Sequence, residues 1–566
     1  MTVDDIFTRR LPPLKVVDLP EDPPDPDHPV LGGNLPEWLE TIRPDQWEAV
    51  KAIVGEFAKG ARVTMFDAPT GSGKTLIAEL VRRILGDRAL YTCHTLSLQD
   101  QFAKDYPYAA LLKGRSNYPT LDYADRFADR FASISCADCT VREPGGGCMF
   151  CSVTSACPYN AAKRAAIPAP VACVNSAFFL AEANGPGAFA GRPFLILDEA
   201  DTLEPTLMSY VEVSISPSQQ KRLGLDPPPR KTVAETWGPW VGEEAIPRVR
   251  ARLGCLPPNS THVPTLRERV TLDRLLRRLR RLAVELPDGG WVYDGYQQGK
   301  IVFRPVRVSA FGPEHFWRHA SRFLLASATL IDPVEIAQST GLPRGTYATV
   351  RMGSTFDPRR RPVFVVPVAE NVRKNKDDSW PKMAAAVARI IDQHPKERVL
   401  VHAVSYDFSA FLFSWLQRAG HGLRLVTYTS AREREAALAR YRQLPSAVII
   451  APSLDRGIDL PGDLCRVQVV TKIPFPNLGD KQVNARLYTS GGQLWYSTQT
   501  VRSLVQMTGR GMRSAEDSCA TYILDATFLT NIWRKSRRLL PRWWTSALVF
   551  SGPRVESILS AIKEPV

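Results

Sequence analysis

No run of about 18 consecutive apolar residues, the length a helix needs to cross a bilayer, occurs in this 566-residue chain. A membrane-spanning helix is therefore not expected. The opening stretch, MTVDDIFTRRLPPLKVVDLPEDPPDPDHP, carries acidic residues early and has no apolar core, so it does not read as a secretory signal. Internal repeats and long low-complexity tracts are absent as well. Cysteine is scarce, at ten residues, yet five of them (Cys136, Cys139, Cys148, Cys151 and Cys157) crowd into one short segment. A cytoplasmic chain keeps its thiols reduced, so that crowding points to a metal site and away from a disulfide framework.

What is present is an ordinary globular composition, 44% hydrophobic and 23% charged, long enough for roughly three to five domains. Net charge is +14, from 72 Lys and Arg against 58 Asp and Glu. That excess favours an anionic partner, and nucleic acid is the commonest.

A proline- and aspartate-rich segment over 18–30 reads as linker or irregular surface. From Ile42 onward strand and helix patterns alternate. ARVTMFDAP reads as a strand entering a Gly-rich turn, and KTLIAELVRRIL as the amphipathic helix after it. RPFLILDEAD, RFLLASATL, RVLVHAVS and SAVIIAPS are nearly continuous apolar runs, the pattern of strands buried on both faces of a parallel sheet. The layout predicts an α/β protein with two doubly wound domains. Two segments do not fit it, about 115–174 with the cysteines and about 206–318. The latter contains TLDRLLRRLRRLAVEL, with Leu272, Leu275, Leu276, Leu279 and Leu282 at helical spacing. Arg274, Arg277, Arg278, Arg280 and Arg281 fill the other positions, and a packed leucine face with a solvated basic face is the expectation.

Three motifs carry chemistry. DAPTGSGKT, spanning Asp67, Ala68, Pro69, Thr70, Gly71, Ser72, Gly73, Lys74 and Thr75, follows a strand and opens a helix, the context a phosphate-binding loop requires. Backbone N–H groups of Gly71, Ser72 and Gly73 are placed to surround a β-phosphate, Lys74 to reach the β- and γ-phosphates, and the Thr75 hydroxyl to ligate Mg²⁺. LILDEAD ends its strand in Asp198, a Mg²⁺ partner, and Glu199, which would activate the attacking water. QMTGRGMR supplies Gln506, Arg510 and Arg513; the arginines, three apart, are expected on one helical face, from which they would meet charge on a γ-phosphate.

In combination these motifs resemble superfamily 2 helicases, and further stretches resemble the XPD/DinG family of iron–sulfur helicases. RPDQ (Arg43 to Gln46) sits where an adenine-recognition element would, and YTCHTLSLQDQF where a loop gripping single-strand phosphates would. LLKGRSNYP, CPYNAAKRAA and VACVNSAFFL resemble the borders of the family's iron–sulfur domain; ASATL resembles its coupling motif. DRGIDLPGDLCRVQVVTKIPFPNLGD, with Gly457 and Asp459, and YILDATF resemble the second motor domain. The resemblance implies two RecA-like domains, with a cysteine-cluster domain and a helical arch domain inserted in the first. On that plan residues 1–40 are a tail; 41–114, 175–205 and 319–342 form the first motor; 115–174 and 206–318 are the insertions; and 343–566 form the second motor. It also implies ATP, Mg²⁺, movement 5′→3′ on single-stranded DNA and action on forked or R-loop-type duplexes. A cytoplasmic monomer is expected, working alone or within a larger nucleoprotein complex of repair, phage replication or CRISPR-associated interference.

The chain departs from the family at the cysteines. Pro119 and Thr120 stand where a cysteine usually follows KGRSNY. The spacing is C-x₂-C-x₈-C-x₂-C-x₅-C, and the resemblance implies a [4Fe–4S] cluster on Cys148, Cys151, Cys157 and one of Cys136 or Cys139. The alternative is zinc on the paired CxxC units, Cys136 with Cys139 and Cys148 with Cys151. A stretch with Arg359–Arg361 and another over Arg534–Arg542 with Trp533, Trp543 and Trp544 are further basic patches; for the second, tryptophan packing is the expected role. Two other functions stay open: a nucleic-acid-stimulated ATPase that remodels without separating strands, and a zinc-bearing adaptor on a silent motor.

Overall fold

The computed structural model describes residues 6–7, 18–33, 35–120, 135–137, 157–228, 234–257, 262–294, 299–371, 375–430, 432–452, 460, 462–512 and 516–562. In chain order the strands begin with β1 (Val63–Asp67), β2 (Ala89–Cys93), β3 (Ala110–Leu111), β4 (Val171–Asn175) and β5 (Phe194–Asp198). β6 (Val213–Ile215), β7 (Trp291–Asp294) and β8 (Ile301–Pro305) follow, then β9 (Arg322–Ser327) and β10 (Tyr347–Arg351). The remainder supplies β11 (Val363–Ala369), β12 (Val399–His402), β13 (Leu425–Thr427), β14 (Val448–Ala451), β15 (Val467–Val470), β16 (Ala520–Asp525) and β17 (Leu548–Val549).

These strands form two seven-stranded sheets, ordered β10-β1-β9-β5-β2-β4-β3 and β13-β14-β12-β15-β16-β11-β17. Every pairing in both is parallel. The continuous apolar runs have a direct cause. Phe194 and Ile196 of β5 join one apolar cluster, with Phe66 and Leu324, while Leu195 and Leu197 join another, with Met65 and Leu325. Alternate side chains thus enter separate cores on opposite faces, so neither set can be polar. The second sheet repeats this, with Val399 and Val401 on one face and Leu400 on the other.

The first sheet extends beyond residue 342, where the sequence plan closed the first motor. β10 pairs with β1, Val63 beside Tyr347 and Asp67 beside Arg351. As an edge strand that is only partly buried, β10 lacks the apolar run that marked its neighbours. The segment before Ile42 is irregular over most of its described length but is not loose. Trp47 Nε1 donates to Pro20 O at 2.9 Å, Lys51 Nζ to Glu21 O at 2.7 Å, and Leu31 is fully buried.

Between β5 and β9 the chain leaves the first sheet and builds a separate unit. β6, β8 and β7 form a small antiparallel sheet, covered by the helix Val263–Glu285. Leu272, Leu275, Leu276, Leu279 and Leu282 of that helix are buried with Trp237, Trp240 and Phe303 in a core of their own. This unit also touches the second sheet's domain. Arg304 bridges Glu212 and Asp480 at 2.7 Å each, and Gln482 Nε2 donates to Val306 O at 2.8 Å.

Candidate functional site

In a parallel sheet, ligands gather at the carboxyl ends of the strands. Asp67, Cys93, Asn175, Asp198 and Ser327 end their strands on that edge of the first sheet. The loop after β1 turns at Gly71 and Gly73, whose φ angles are +80° and +83°, and the helix Lys74–Leu85 begins directly behind it. Both positions require glycine twice over, for a Cβ at Gly73 would collide with Gln46 Nε2 and one at Gly71 with the ring of Phe356. Arg43 Nη2 and Gln46 Nε2 donate to Ser72 O at 2.9 and 3.1 Å, bracing the loop from outside. Ser72 Oγ is buried with no hydrogen-bond partner among the described residues. Lys74 Nζ rests 3.4 Å from both Ala68 O and Pro69 O. A cradle of bare backbone, an orphaned hydroxyl and a lysine with weak carbonyl contacts fit a phosphate group.

The acidic strand end lies beside this loop. Tyr91 OH donates to Thr75 Oγ1 at 3.4 Å. Burial pushes the Asp198 carboxyl above the usual carboxylate range, while the Lys74 ammonium and the Tyr91 hydroxyl pull it back. Tyr91 is itself raised, by burial and by the charge of Asp198. Lys74, Thr75, Tyr91 and Asp198 are therefore one electrostatic group. Glu199 adopts φ +52°, a left-handed conformation unusual outside glycine, and its N–H donates to Asp198 Oδ1 at 3.0 Å. Strain of this kind persists only where the surroundings enforce it.

A second domain completes the site. On the helix Gly492–Thr508, residues Trp495, Gln499, Arg502 and Gln506 fall on one face, and all four bond to the first domain. Gln506 Nε2 donates to Asp201 Oδ2 at 2.8 Å and to Thr329 Oγ1 at 2.9 Å, while Ser327 Oγ donates to Asp201 Oδ1 at 2.7 Å. Arg502 Nε donates to Thr329 O at 3.0 Å, and its Nη2 lies 3.3 Å from Glu335 Oε2. Trp495 Nε1 donates to Glu204 Oε2 at 3.0 Å; Arg486 pairs with Glu204 and stacks on Trp495 at 4.2 Å. Burial and the neighbouring Arg502 lower Arg486 to about 9.

Arg510 departs from the expected placement. The helix ends at Thr508, so Arg510 lies in the turn beyond it and not on a helical face. The chain turns there because Gly511 packs against Cys465 O and the Cys519 side chain, where no Cβ fits. Arg510 is buried; burial of His402, with the Arg510 charge beside it, lowers that histidine to about 3. Arg513, Gly457, Asp459, Cys139, Cys148 and Cys151 lie outside the described residues. Spacing marked none of the seam residues Glu204, Glu335, Arg486 and Arg502, because ion pairs across 167 and 282 positions leave no local pattern.

A groove of about 1,100 Å³ runs between the first sheet's edge and the inserted helix Val263–Glu285. His94, Ser116, Asn117, Asn175 and Phe178 line one side, and Arg274, Arg277, Arg278 and Arg281 the other. The basic face of that helix is solvated, as the sequence predicts, and borders this groove. In the other two basic patches the tryptophans pack as expected, while Arg359, Arg360, Arg534, Arg537, Arg538 and Arg542 are exposed. Arg359 pairs with Asp357, Arg361 stacks on Trp543 at 5.5 Å, and Trp544 is buried with its Nε1 donating to Thr508 Oγ1 at 2.7 Å.

Comparison with known proteins places this geometry. Residues 387–547 match the family model Helicase C-terminal domain, and residues 40–126 match Type III restriction enzyme, res subunit. A solved structure titled XPD_Helicase superposes with a TM-score of 0.60 at 16% identity, covering 90% of this chain and 100% of that one. The structure of S. tokodaii Xpd4 superposes with a TM-score of 0.55 at 14% identity, covering 90% and 100%. The chain has the fold of these two XPD structures. Among curated proteins, the ATP-dependent DNA helicase CHL1 of Candida glabrata is 25% identical over 133 residues, 20% of this chain and 15% of that protein. CHL1 of Saccharomyces cerevisiae is 30% identical over 111 residues, 17% and 12% respectively. The chain thus spans only a small part of those relatives' lengths. No helix among the described residues is long and apolar enough to cross a membrane.

In this XPD-like frame the Asp67 carboxyl, beside the phosphate loop, is pushed by burial from 3.8 to about 6, against the pull of Arg351 and Lys74. A carboxyl raised on folding contributes stability that is full below pH 3.8 and is lost as pH rises through about 6. Asp67→Asn should therefore melt above the native chain at pH 7–8, by up to about 3 kcal/mol, and lose that advantage near pH 4. Melting curves of both proteins over this range measure it; parallel curves would mean that Asp67 ionises at no cost.

Proposed function

We propose that the chain is an ATP-driven motor that moves on single-stranded DNA and separates duplex strands. The observation that carries this reading is the composite site: a phosphate loop and acidic strand end in one domain, bonded through Asp201 and Thr329 to Gln506 of the other. Lys74 would hold the β- and γ-phosphates, and Glu199 would take the proton of the attacking water. Arg43 and Gln46, already on the loop's outer side, would meet the adenine. Thr75 and Asp198 would hold Mg²⁺, which when bound neutralises phosphate charge. Arg510, Arg513, Gly457 and Asp459 would contribute from the second domain. The first motor and its two insertions, with the second motor beyond β10, form the working unit. Family resemblance supports 5′→3′ movement, DNA as the tracked strand, forked or R-loop-type substrates and a cytoplasmic setting.

The strand would lie in the arginine-lined groove. Four guanidinium groups along one helix face can neutralise successive phosphates, and Phe178 offers a stacking surface.

The cysteine segment would hold a metal. Cys136 N donates to Tyr118 O at 2.8 Å, so Cys136 stands beside Tyr118 and Pro119, where the family's own first cysteine is missing. Both Cys136 and Cys157 are buried, with their Sγ atoms 3.8 Å apart. These two thiols fit a shared metal site, with Cys148 and Cys151 completing a set of four as a [4Fe–4S] cluster. The 3.8 Å separation is also that of two thiolates on one tetrahedral zinc at about 2.3 Å, but the paired-CxxC zinc site would leave Cys157 out. In a cubane each thiolate takes a separate iron.

Three measurements test these readings. ATP turnover should vanish in Lys74→Ala, and Glu199→Gln should bind ATP without turning it over; near-native turnover in Glu199→Gln would remove its role. Arg274→Ala with Arg277→Ala should weaken single-strand binding at every sequence and reduce the slope of log K against log salt by about 1.4. An unchanged slope would place the strand elsewhere. Metal content of anaerobically purified protein should fall in Cys136→Ser and hold in Cys139→Ser. The opposite pattern would exchange their roles, and visible absorption distinguishes iron–sulfur from zinc.

A further inference from the structure

We infer that Phe356 is the side chain through which the phosphate loop and the second motor domain act on one another, a positioning residue for ATP turnover. The inference rests on the nucleotide reading above. Phe356 lies in the short connection between β10, the last strand of the first sheet, and β11, the first of the second. Its ring belongs to the second domain's core: it is 7% exposed and packs in one cluster with Val426, Tyr428, Leu460 and Met512. Yet its tip touches the first domain. A Cβ on Gly71 would run into Phe356 Cζ and approach the two carbons beside it at 3.0 and 3.1 Å. Gly71 is therefore bare for the ring as well as for its φ of +80°.

This contact has no slack on either side. The loop is braced from outside by Arg43 and Gln46, and the ring is enclosed by its cluster. Close-packed side chains transmit displacement and do not absorb it. A phosphate that shifts the Gly71 backbone must shift the ring, and a movement of the second domain must press on or release the loop. The cluster also carries the effect onward. Met512, which packs in the same cluster as Phe356, follows Arg510 by two residues, and Gly511 between them is wedged against Cys465 and Cys519. Loop, ring and the arginine segment thus form one continuous packed path.

The test is ATP turnover, with and without single-stranded DNA, in the full chain. Phe356→Leu keeps an apolar group in the cluster but withdraws the ring tip, and should stay folded by melting curve. Its DNA-stimulated kcat should fall at least about tenfold while KM for ATP stays within about threefold. Phe356→Tyr would drive a hydroxyl into Gly71 and should lose kcat and raise KM together. Combining Gly71→Ala with Phe356→Ala should cost less than the two single changes added, because the collision is gone. Native stimulated kcat in Phe356→Leu, with Lys74→Ala inactive, would overturn the role of Phe356 and leave the nucleotide site standing. No turnover above Lys74→Ala in the native chain would overturn both.

Discussion

Two glutamates of the first domain, Glu204 and Glu335, are buried against two arginines of the second, Arg486 and Arg502, and the cleft depends on that pairing. Charges removed from water must find partners, and leaving one uncompensated costs about 3–5 kcal/mol. The seam is therefore satisfied in one arrangement of the sheets and penalised in others. Trp495, Gln499, Arg502 and Gln506 share a helix face, so the registration that seats Arg502 on Glu335 also carries Gln506 to Asp201. Electrostatic matching at one end of the helix thereby sets hydrogen bonding at the acidic strand end.

The inserted unit is tied into the same arrangement. Its helix carries the arginines that close the groove, while its small sheet reaches the second domain through Arg304, Asp480 and Gln482. It rests on both domains. A change in their spacing would therefore be felt where a strand would lie, and nucleotide and nucleic acid would meet through packed contacts alone.

Much of this was legible in the amino-acid order. Strands whose alternate residues enter two cores must be apolar throughout, so β5, β9, β12 and β14 announce themselves. The phosphate loop is equally local: glycines, lysine and threonine within a few residues between a strand and a helix. The leucine face of Val263–Glu285 follows from helical geometry alone. β10 was missed because an edge strand needs no continuous apolar run, and the end of the helix before Arg510 because Gly511 answers to distant Cys465 and Cys519.

By itself the sequence determined what short-range chemistry dictates: the parallel-sheet class, the glycine turn after β1 and the acids at the end of β5. Only the tertiary structure decided which residues meet across the seam, that the arginine face borders a groove, that Cys136 comes to stand beside Pro119, and that Phe356 leans on Gly71. The reason is physical. Periodicity and turn chemistry act over a few residues and are written in neighbouring letters. The pairing of buried charges and the fitting of a ring against a bare backbone depend on the closure of the whole chain, and nothing near them in the sequence records their partners.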